Sequence, residues 1–258
     1  MYVPGHFEEA REEELLGLIA SYPLGALVFG GPHGLDASHL PFLFDDAGGE
    51  RKLLAHVARA NPLWEEVADG AEVLVIFRAD DAYISPNWYP SKHEFHRQVP
   101  TWNYRVVHVL GRIHVRDDER FVRGVVARLT RKHEREAESP KPWKMSDSPR
   151  EFTDQMIANI VGIEIEVDRM LGKWKLSQNK EQRDRLGAVD ALDERGVLYE
   201  DRVLDLPSLD LSSTYELREY QSAALSAWED AGRRDEVRTD EQEDQPPGPD
   251  RRAPPRQE

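Results

Sequence analysis

The sequence predicts an α+β protein whose main body is an antiparallel β-barrel, with helices at its periphery and a disordered C-terminal tail. Three observations carry that expectation. Short aliphatic and aromatic segments follow one another at close spacing, separated by Gly, Pro and Asp turns. A longer run, Tyr104 to Val115, alternates with the period of a strand. Beyond about Leu206 the character changes, and residues 235–258 are acidic, proline-rich and almost free of large apolar side chains.

From the N-terminus, Phe7 to Tyr22 places Leu15, Leu16, Ile19 and Tyr22 at helical spacing behind an acidic first turn, which complements the positive end of a helix dipole. It predicts a covering helix. Leu24 to Phe29, Leu35 to Phe44 and Arg51 to Val57 read as strands joined by the turns Gly30 to Gly34 and Asp45 to Gly49. Asn61 starts a brief helical turn with Pro62 at its first position, and Ala71 to Arg78 is a further apolar strand. In the run from Tyr104, the face carrying Val107, Val109, Gly111, Ile113 and Val115 is the better core candidate; Val106, His108, Leu110, Arg112 and His114 share the other. A helix over Asp118 to Glu134 carries Phe121, Val122, Val125 and Leu129 as its stripe and stops before Pro140 and Pro142. Ser148 and Pro149 read as the N-cap and first turn of another helix bearing Phe152, Met156 and Ile160. Gly162 to Val167 is the last expected strand, and a final helix starts near Asn179. The expected organisation is therefore a barrel domain over 1–196, an extension over 197–234 with an amphipathic helix at 214–228, and a disordered tail over 235–258. No internal repeat is present.

Composition narrows the function. With 39% hydrophobic residues, 258 residues can bury a substantial core. No run approaches the roughly 18–20 apolar residues of a membrane span, and the first residues lack both a basic and an apolar leader region. The expected location is the cytoplasm. Zero cysteines remove disulfides, thiolate nucleophiles and cysteine-ligated zinc, so redox chemistry must come from a bound cofactor. A net charge of -15 disfavours direct DNA binding, which relies on a concentrated basic surface. No helix-turn-helix pattern offsets that.

Four stretches could carry chemistry. Asp81 to Lys92 and Val99 to His108 interleave aromatic residues, hydroxyls, asparagines and a lysine with Pro86, Pro90 and Pro100. Aromatic rings offer flat faces to a ligand ring, and Ser, Thr, Asn and Lys donors suit a phosphate or a ring carbonyl; the alternative is a rigid loop that plugs a barrel end. Ser38 and His39 interrupt an apolar strand, as do His56, Arg59 and Asn61; each histidine alone is as well explained by a satisfied, half-buried position. Gly172 to Lys180 is a basic patch in an acidic protein, read either as an anion site or as a solvated strand end. His93 and His96 fall in an expected loop, no HExxH is present, and no metal site is expected. GxGxxG, Walker-type and GxSxG motifs are absent too.

Taken together these residues resemble the PaiB-type family of FMN-binding negative transcriptional regulators. The resemblance runs from Met1 to Phe7 through Ser38 to Pro41, Ala55 to Pro62, Tyr83 to Tyr89, Val99 to Tyr104 with His108 and Gly111, and Lys175 to Lys180 with Asp184 and Arg185. It implies a split β-barrel, a homodimer and an FMN near the subunit interface. It places Ser38, His39, Leu40, His56, Arg59 and Asn61 along the flavin edge and phosphate, and Tyr83, Ser85, Trp88, Lys92, Thr101 and Asn103 at the opening, with Lys175, Ser177, Gln178 and Asn179 on the same cofactor or on the partner subunit's copy. Two functions follow as expectations: an FMN-binding negative regulator, or an FMN-dependent oxidoreductase of the split-barrel class. For the second, His39, His56 and Tyr104 are the acid–base candidates.

Overall fold

In a computed structural model of the protein, which describes residues 1–195, the short apolar segments pair into one antiparallel sheet. Its strands are β1 (Glu8–Glu9), β2 (Leu24–Gly31), β3 (Gly34–Pro41), β4 (Leu43–Asp45), β5 (Lys52–Ala58), β6 (Glu72–Ile84), β7 (Thr101–Arg116) and β8 (Ile160–Lys175). The spatial order is β3-β2-β6-β7-β8-β5-β4, with β1 added on β8. Only Phe42 separates β3 from β4, so the two ends of the sheet are consecutive in sequence, and β3 also touches β5. The sheet therefore curls back on itself as a split barrel, as expected. Its inner face holds Leu27, Phe29, Leu53, Val75, Phe77, Val107, Val109 and Ile165, and helix α1 (Glu12–Ser21) packs Leu15, Leu18 and Ile19 into the same core. The inner face of β7 is the one its alternation indicated.

Several boundaries move, each for a local reason. The first helix begins at Glu12 rather than Phe7, because Glu8 and Glu9 are drawn into extended pairing with Lys173 and Gly172. The expected strand Leu35 to Phe44 breaks at Phe42, whose N–H leaves the ladder to donate to the Pro23 carbonyl at 2.9 Å. Strand β6 continues past Arg78 through a bulge between Arg78 and Asp81 to Ile84, and β7 begins three residues early at Thr101. Strand β8 runs from Ile160 to Lys175 rather than from Gly162 to Val167, so the first four residues of the basic patch are strand and the rest is a turn. Gly172 permits this: a Cβ there would lie 2.6 Å from the Glu9 carbonyl and 2.3 Å from Leu15.

The helices follow similarly. After α2 (Leu63–Glu66), His93 lies on α3 (Pro90–Phe95) and His96 caps it in the left-handed region, where a loop was expected. Helix α4 (Glu119–Glu136) is capped by Asp118, whose carboxylate accepts from Phe121 N–H at 2.8 Å, and buries Val122, Val125 and Leu129. Helix α5 (Arg150–Ala158) starts one residue later than expected. Pro149 is its N-cap, no side chain caps it, and Ile160 belongs to β8. Helix α6 (Gln182–Asp193) starts three residues beyond Asn179. The expected extension and its helix at 214–228, and the tail at 235–258, lie outside the described residues. Among the described residues no helix is long and apolar enough to cross a membrane.

Candidate functional site

Past the bulge, β6 and β7 continue as a two-stranded ribbon, which the end of β8 joins at the Tyr104–Lys175 row. Register pairs Tyr83 with Trp102, Ala82 with Asn103 and Tyr104 with Lys175. Alternation then sends Ala82, Ile84 and Asn103 to one face and Tyr83, Trp102, Tyr104, Lys173 and Lys175 to the other.

The first face is closed by α3, α6 and the turn Pro86–Trp88. Ala82, Ile84 and Tyr89 pack there with Ala188 and Leu192. Buried Asp184 accepts from Ser91 N–H at 3.0 Å and Ser91 Oγ at 2.6 Å, while Gln98 donates to Ser91 Oγ at 2.7 Å and to Asp184 at 3.2 Å. Lys180 donates to Gln98 Oε1 at 2.6 Å and lies over the Tyr89 ring. Ser177, in the left-handed region at φ 65°, donates to Asn103 Oδ1 at 3.0 Å, and Gln178 donates to the Trp174 carbonyl. Ser85 accepts from Asn87 N–H, Lys92 donates to Asn87 Oδ1 at 2.9 Å, and Trp88 packs against Ala188 and Leu192 with Arg195 stacked on its ring. Asn179 lies in the turn between β8 and α6. Ser85 and Lys92 thus fix the turn at Asn87, and Ser177 and Gln178 fix the turn after β8 onto Asn103 and Trp174, while Asp184 and the cluster with Trp88 hold α6 against this face.

The second face is open. Tyr83 and Trp102 are about half exposed and meet edge to face at 5.8 Å between ring centroids. Lys175 donates to Thr101 Oγ1 and the Trp102 carbonyl, and Lys173 donates to the Tyr2 carbonyl at 3.2 Å and lies over the Tyr2 and Tyr104 rings. Among the described residues neither lysine has a salt bridge. Burial and the like charges of Lys173 and Lys180 hold Lys175 below the usual lysine range; burial lowers Lys180 as well, against the pull of Asp184. Cations crowded beside exposed rings in a protein of charge -15 fit an anionic, flat-ringed ligand. A flavin mononucleotide is such a ligand. Trp102, Lys173 and Lys180 fall within the stretches Val99 to His108 and Gly172 to Lys180 flagged in the sequence but were not singled out as cofactor residues; extending the alternation of β7 two residues back points to Trp102.

The remaining expected residues lie elsewhere. Strand β3 divides its three: Leu40 turns into the core with Ser38 beside it, while His39 faces outward in one row with Ala26, Ile76, His108 and Leu171. Burial, then the charge of the N-terminal amine, lowers His108. His56 pairs with Gly162, which pairs with Arg116, so it sits at the far end of β7. Its Nδ1 is buried without a hydrogen-bond partner, and burial lowers its pKa. Arg59 grips the Asp117 carboxylate at 2.6 and 2.9 Å and donates to the Ala158 carbonyl; Asn61 Oδ1 accepts from Leu63 N–H at 3.0 Å and starts α2. From the Tyr104 row to the Arg116 row is roughly 40 Å of strand, further than a mononucleotide reaches. One chain therefore does not bring the His56 group and the Lys175 group to one ligand.

Between the two groups the outer sheet face mixes polar residues, Arg78, His108, Arg112, His114 and Arg169 among them, with apolar ones, where a solvated antiparallel sheet carries mainly polar residues. Leu24, Val28, Leu74, Ile76 and Leu110 share it with Leu35, which is 84% exposed on the edge strand. Among the described residues no cluster of three or more His, Asp or Glu is placed to hold a metal ion.

Residues 1–169 match the family described as "Putative FMN-binding domain". "Protease synthase and sporulation protein PAI 2" of Bacillus subtilis is 29% identical over 192 residues, covering 74% of this chain and 89% of that protein. Protein YKL070W of Saccharomyces cerevisiae is 38% identical over 155 residues, covering 52% of this chain and 90% of its own length. Protein AN0679 of Emericella nidulans is 30% identical over 232 residues, covering 76% and 92%. Among solved structures, a FAD and heme binding protein from Mycobacterium smegmatis aligns with TM-score 0.48 and 17% identity over 82% of this chain and 94% of that one. The chain belongs to the FMN-binding family, and its cofactor is FMN.

Proposed function

We propose that this member of the FMN-binding family is a cytoplasmic homodimer in which each flavin is held between two copies of the chain, and that it serves as a negative regulator of the PaiB type. One observation carries the dimeric site: the His56 and Lys175 groups stand at opposite ends of strand β7, and the outer sheet face beside them carries partly exposed apolar residues, Leu24 and Leu35 most of all. Two-fold packing of that face would bury it and bring one copy's strand β5 toward the other copy's lysines. Lys173 and Lys175 would then hold the ring carbonyls and one side of the phosphate, Tyr83 and Trp102 would lie along the ring, and the partner's His56 would face the phosphate from the other side. The regulatory role is suggested by the likeness to PAI 2, whose name associates it with protease synthesis and sporulation. Acidity and the lack of a helix-turn-helix favour an indirect route over a direct grip on DNA.

The test is light scattering with flavin absorbance. Wild type should elute as a yellow dimer, and Ile76→Asp should give a folded, colourless monomer. A monomeric wild type that binds FMN stoichiometrically would sink the shared-site reading.

The second reading is an FMN-dependent oxidoreductase. Bound FMN supplies hydride and one-electron chemistry, and the protein orients it. Its support is that Trp102 and Tyr83 leave the face open to a second substrate. Anaerobic NADH or NADPH should bleach the flavin if this is the activity. A spectrum unchanged by both, with duplex DNA retarded only as competitor DNA is, leaves indirect regulation as the working role.

A further inference from the structure

The sheet face that carries α4 holds a feature the flavin reading does not use. Helix α4 turns Val122, Val125 and Leu129 inward, and Ala127, Thr130, Arg131, Glu134 and Arg135 form another stripe at spacings of three and four residues. After Ala137 the chain reverses through Glu138, at φ 49°, and returns along that stripe. Trp143 N–H donates to Glu134 Oε2 at 2.8 Å, and a single turn at Met145–Asp147 is closed by Lys144 N–H on Asp147 Oδ2 at 3.1 Å. The returning segment and the helix enclose a cleft of about 530 Å³. That volume lies within the range of roughly 300–1,000 Å³ typical of small-molecule sites.

The lining has two parts. Ala127, Pro142, Trp143 and Met145 supply apolar walls, with the Trp143 ring about half exposed. Arg131, Arg135 and Lys144 supply three cations. Three other cations of α4 are paired, Arg123 with Glu119 and Asp154, Arg128 with Asp45 and Lys132 with Glu136, while Arg120 in the first turn has no salt bridge among the described residues. Among the described residues Arg131, Arg135 and Lys144 have no salt bridge, and the one carboxylate in the lining, Glu134, accepts from Trp143 N–H through Oε2, so three cations face a single anionic charge. A helix C-terminus favours cations nearby, which accounts for charge in the last turns. It does not account for cations left unpaired around an apolar cleft in a chain of net charge -15.

We propose that the cleft between α4 and residues 142–146 binds a small organic anion whose apolar body lies against Trp143 and Met145 and whose carboxylate or phosphate is held by Arg131, Arg135 and Lys144. A guanidinium offers a fork that matches either head group. The concave, apolar-walled shape fits a compact amphiphile better than a nucleic-acid backbone, which needs an extended basic surface. The site shares no residue with the flavin groups, so it stands or falls independently of them.

The experiment uses full-length protein saturated with FMN. The dye 1-anilinonaphthalene-8-sulfonate, an apolar anion, is titrated by fluorescence beside its uncharged relative N-phenyl-1-naphthylamine, and octanoate and octyl phosphate are added as competitors. The anionic dye should bind saturably and be displaced, octanoate against octyl phosphate telling which head group is preferred. The double variant Arg131→Gln/Arg135→Gln, with unchanged circular dichroism and flavin content, should bind it at least about tenfold more weakly while binding the neutral dye as before. Trp143→Ala should weaken both dyes. Absent or non-saturable binding of the anionic dye, or equal affinity in the double variant, overturns the proposal. So does salt-sensitive binding of a short DNA duplex that the double variant loses while neither amphiphile displaces the dye.

Discussion

The two faces of the ribbon formed by β6, β7 and β8 are built from the same kinds of residue, yet they differ in one respect. On the face under α6, lysine, serine, glutamine and aspartate find one another, and the aromatic Tyr89 is fully buried. On the other face Tyr83 and Trp102 stay half exposed, and Lys173 and Lys175 have neutral oxygens as partners and each other as neighbours. A polar network whose members are satisfied internally stabilises a fold. Cations left crowded and without carboxylates await an anion from outside. Residue type alone therefore does not identify a binding site; the state of its partners does.

Substitutions on the closed face should cost stability. Asp184, 1% exposed, accepts three hydrogen bonds, so Asp184→Ala strands the buried donors of Ser91 and takes one of two acceptors from half-buried Gln98. The expected loss is about 3 kcal/mol in urea denaturation. A loss under about 1 kcal/mol would show that α6 docks without this network. Gly187→Ala sets two effects against each other. Alanine favours a helix interior by about 1 kcal/mol over glycine. Its Cβ, however, would fall 2.3 Å from the Trp88 carbonyl, and backbone cannot give way as a side-chain end can. Overpacking should win, leaving a net destabilisation of roughly 2 kcal/mol.

The open face should respond in the opposite sense. Lys175→Ala removes a half-buried cation from beside two others and should move stability by less than about 1 kcal/mol. FMN affinity, followed by quenching of flavin fluorescence, should fall at least about tenfold. Equal affinity in variant and wild type would take the lysines out of the flavin site. pH sharpens the contrast. Because the folded chain holds Lys175 and Lys180 below the usual lysine range, the unfolded chain binds more protons there, and apo-protein stability should rise as pH climbs through the lowered pKa values toward 10.5. FMN affinity should fall over the same interval as the ammonium groups discharge, and Lys175→Ala should flatten that fall.

The barrel was legible because its signal is local. Alternation in Tyr104 to Val115 and turns rich in Gly and Asp are written into adjacent residues, and the core face of β7 followed directly. Strand ends were not, because they are set by distant partners: Glu8 and Glu9 leave the helix register only because β8 accepts them, and β8 continues past Val167 only because β7 and β1 pair with it. The candidate site was half legible. Composition drew attention to Tyr83 to Gly111 and to Lys175, but Ser85, Lys92, Ser177 and Gln178 carry the same donors as a ligand site while bonding Asn87, Asn103 and the Trp174 backbone. Nor could spacing show that His56 and Lys175 lie level with opposite ends of strand β7, a consequence of β5 pairing with the first half of β8 and of β7 pairing along most of its length.

The smallest expected effect bears on how far the open face extends into a partner chain. Burial lowers the His56 pKa in the folded chain, so on acidification the unfolded chain takes up a proton that the folded chain resists. The stability linked to this group is complete above the ordinary histidine value of 6.5 and declines as pH falls below it. His56→Gln should make the decline of apo-protein stability between pH 7 and 5 shallower, though not abolish it, since burial lowers His6 and His108 too. Bound FMN changes the sign if the partner's flavin reaches His56. An anionic phosphate beside the imidazole favours its charged form, so FMN binding at pH 6 should take up protons, seen as buffer-dependent heat in calorimetry, and the uptake should vanish in His56→Gln. Proton uptake identical in wild type and variant would place the phosphate among the lysines and leave His56 a buried residue of β5 with no role in the shared site.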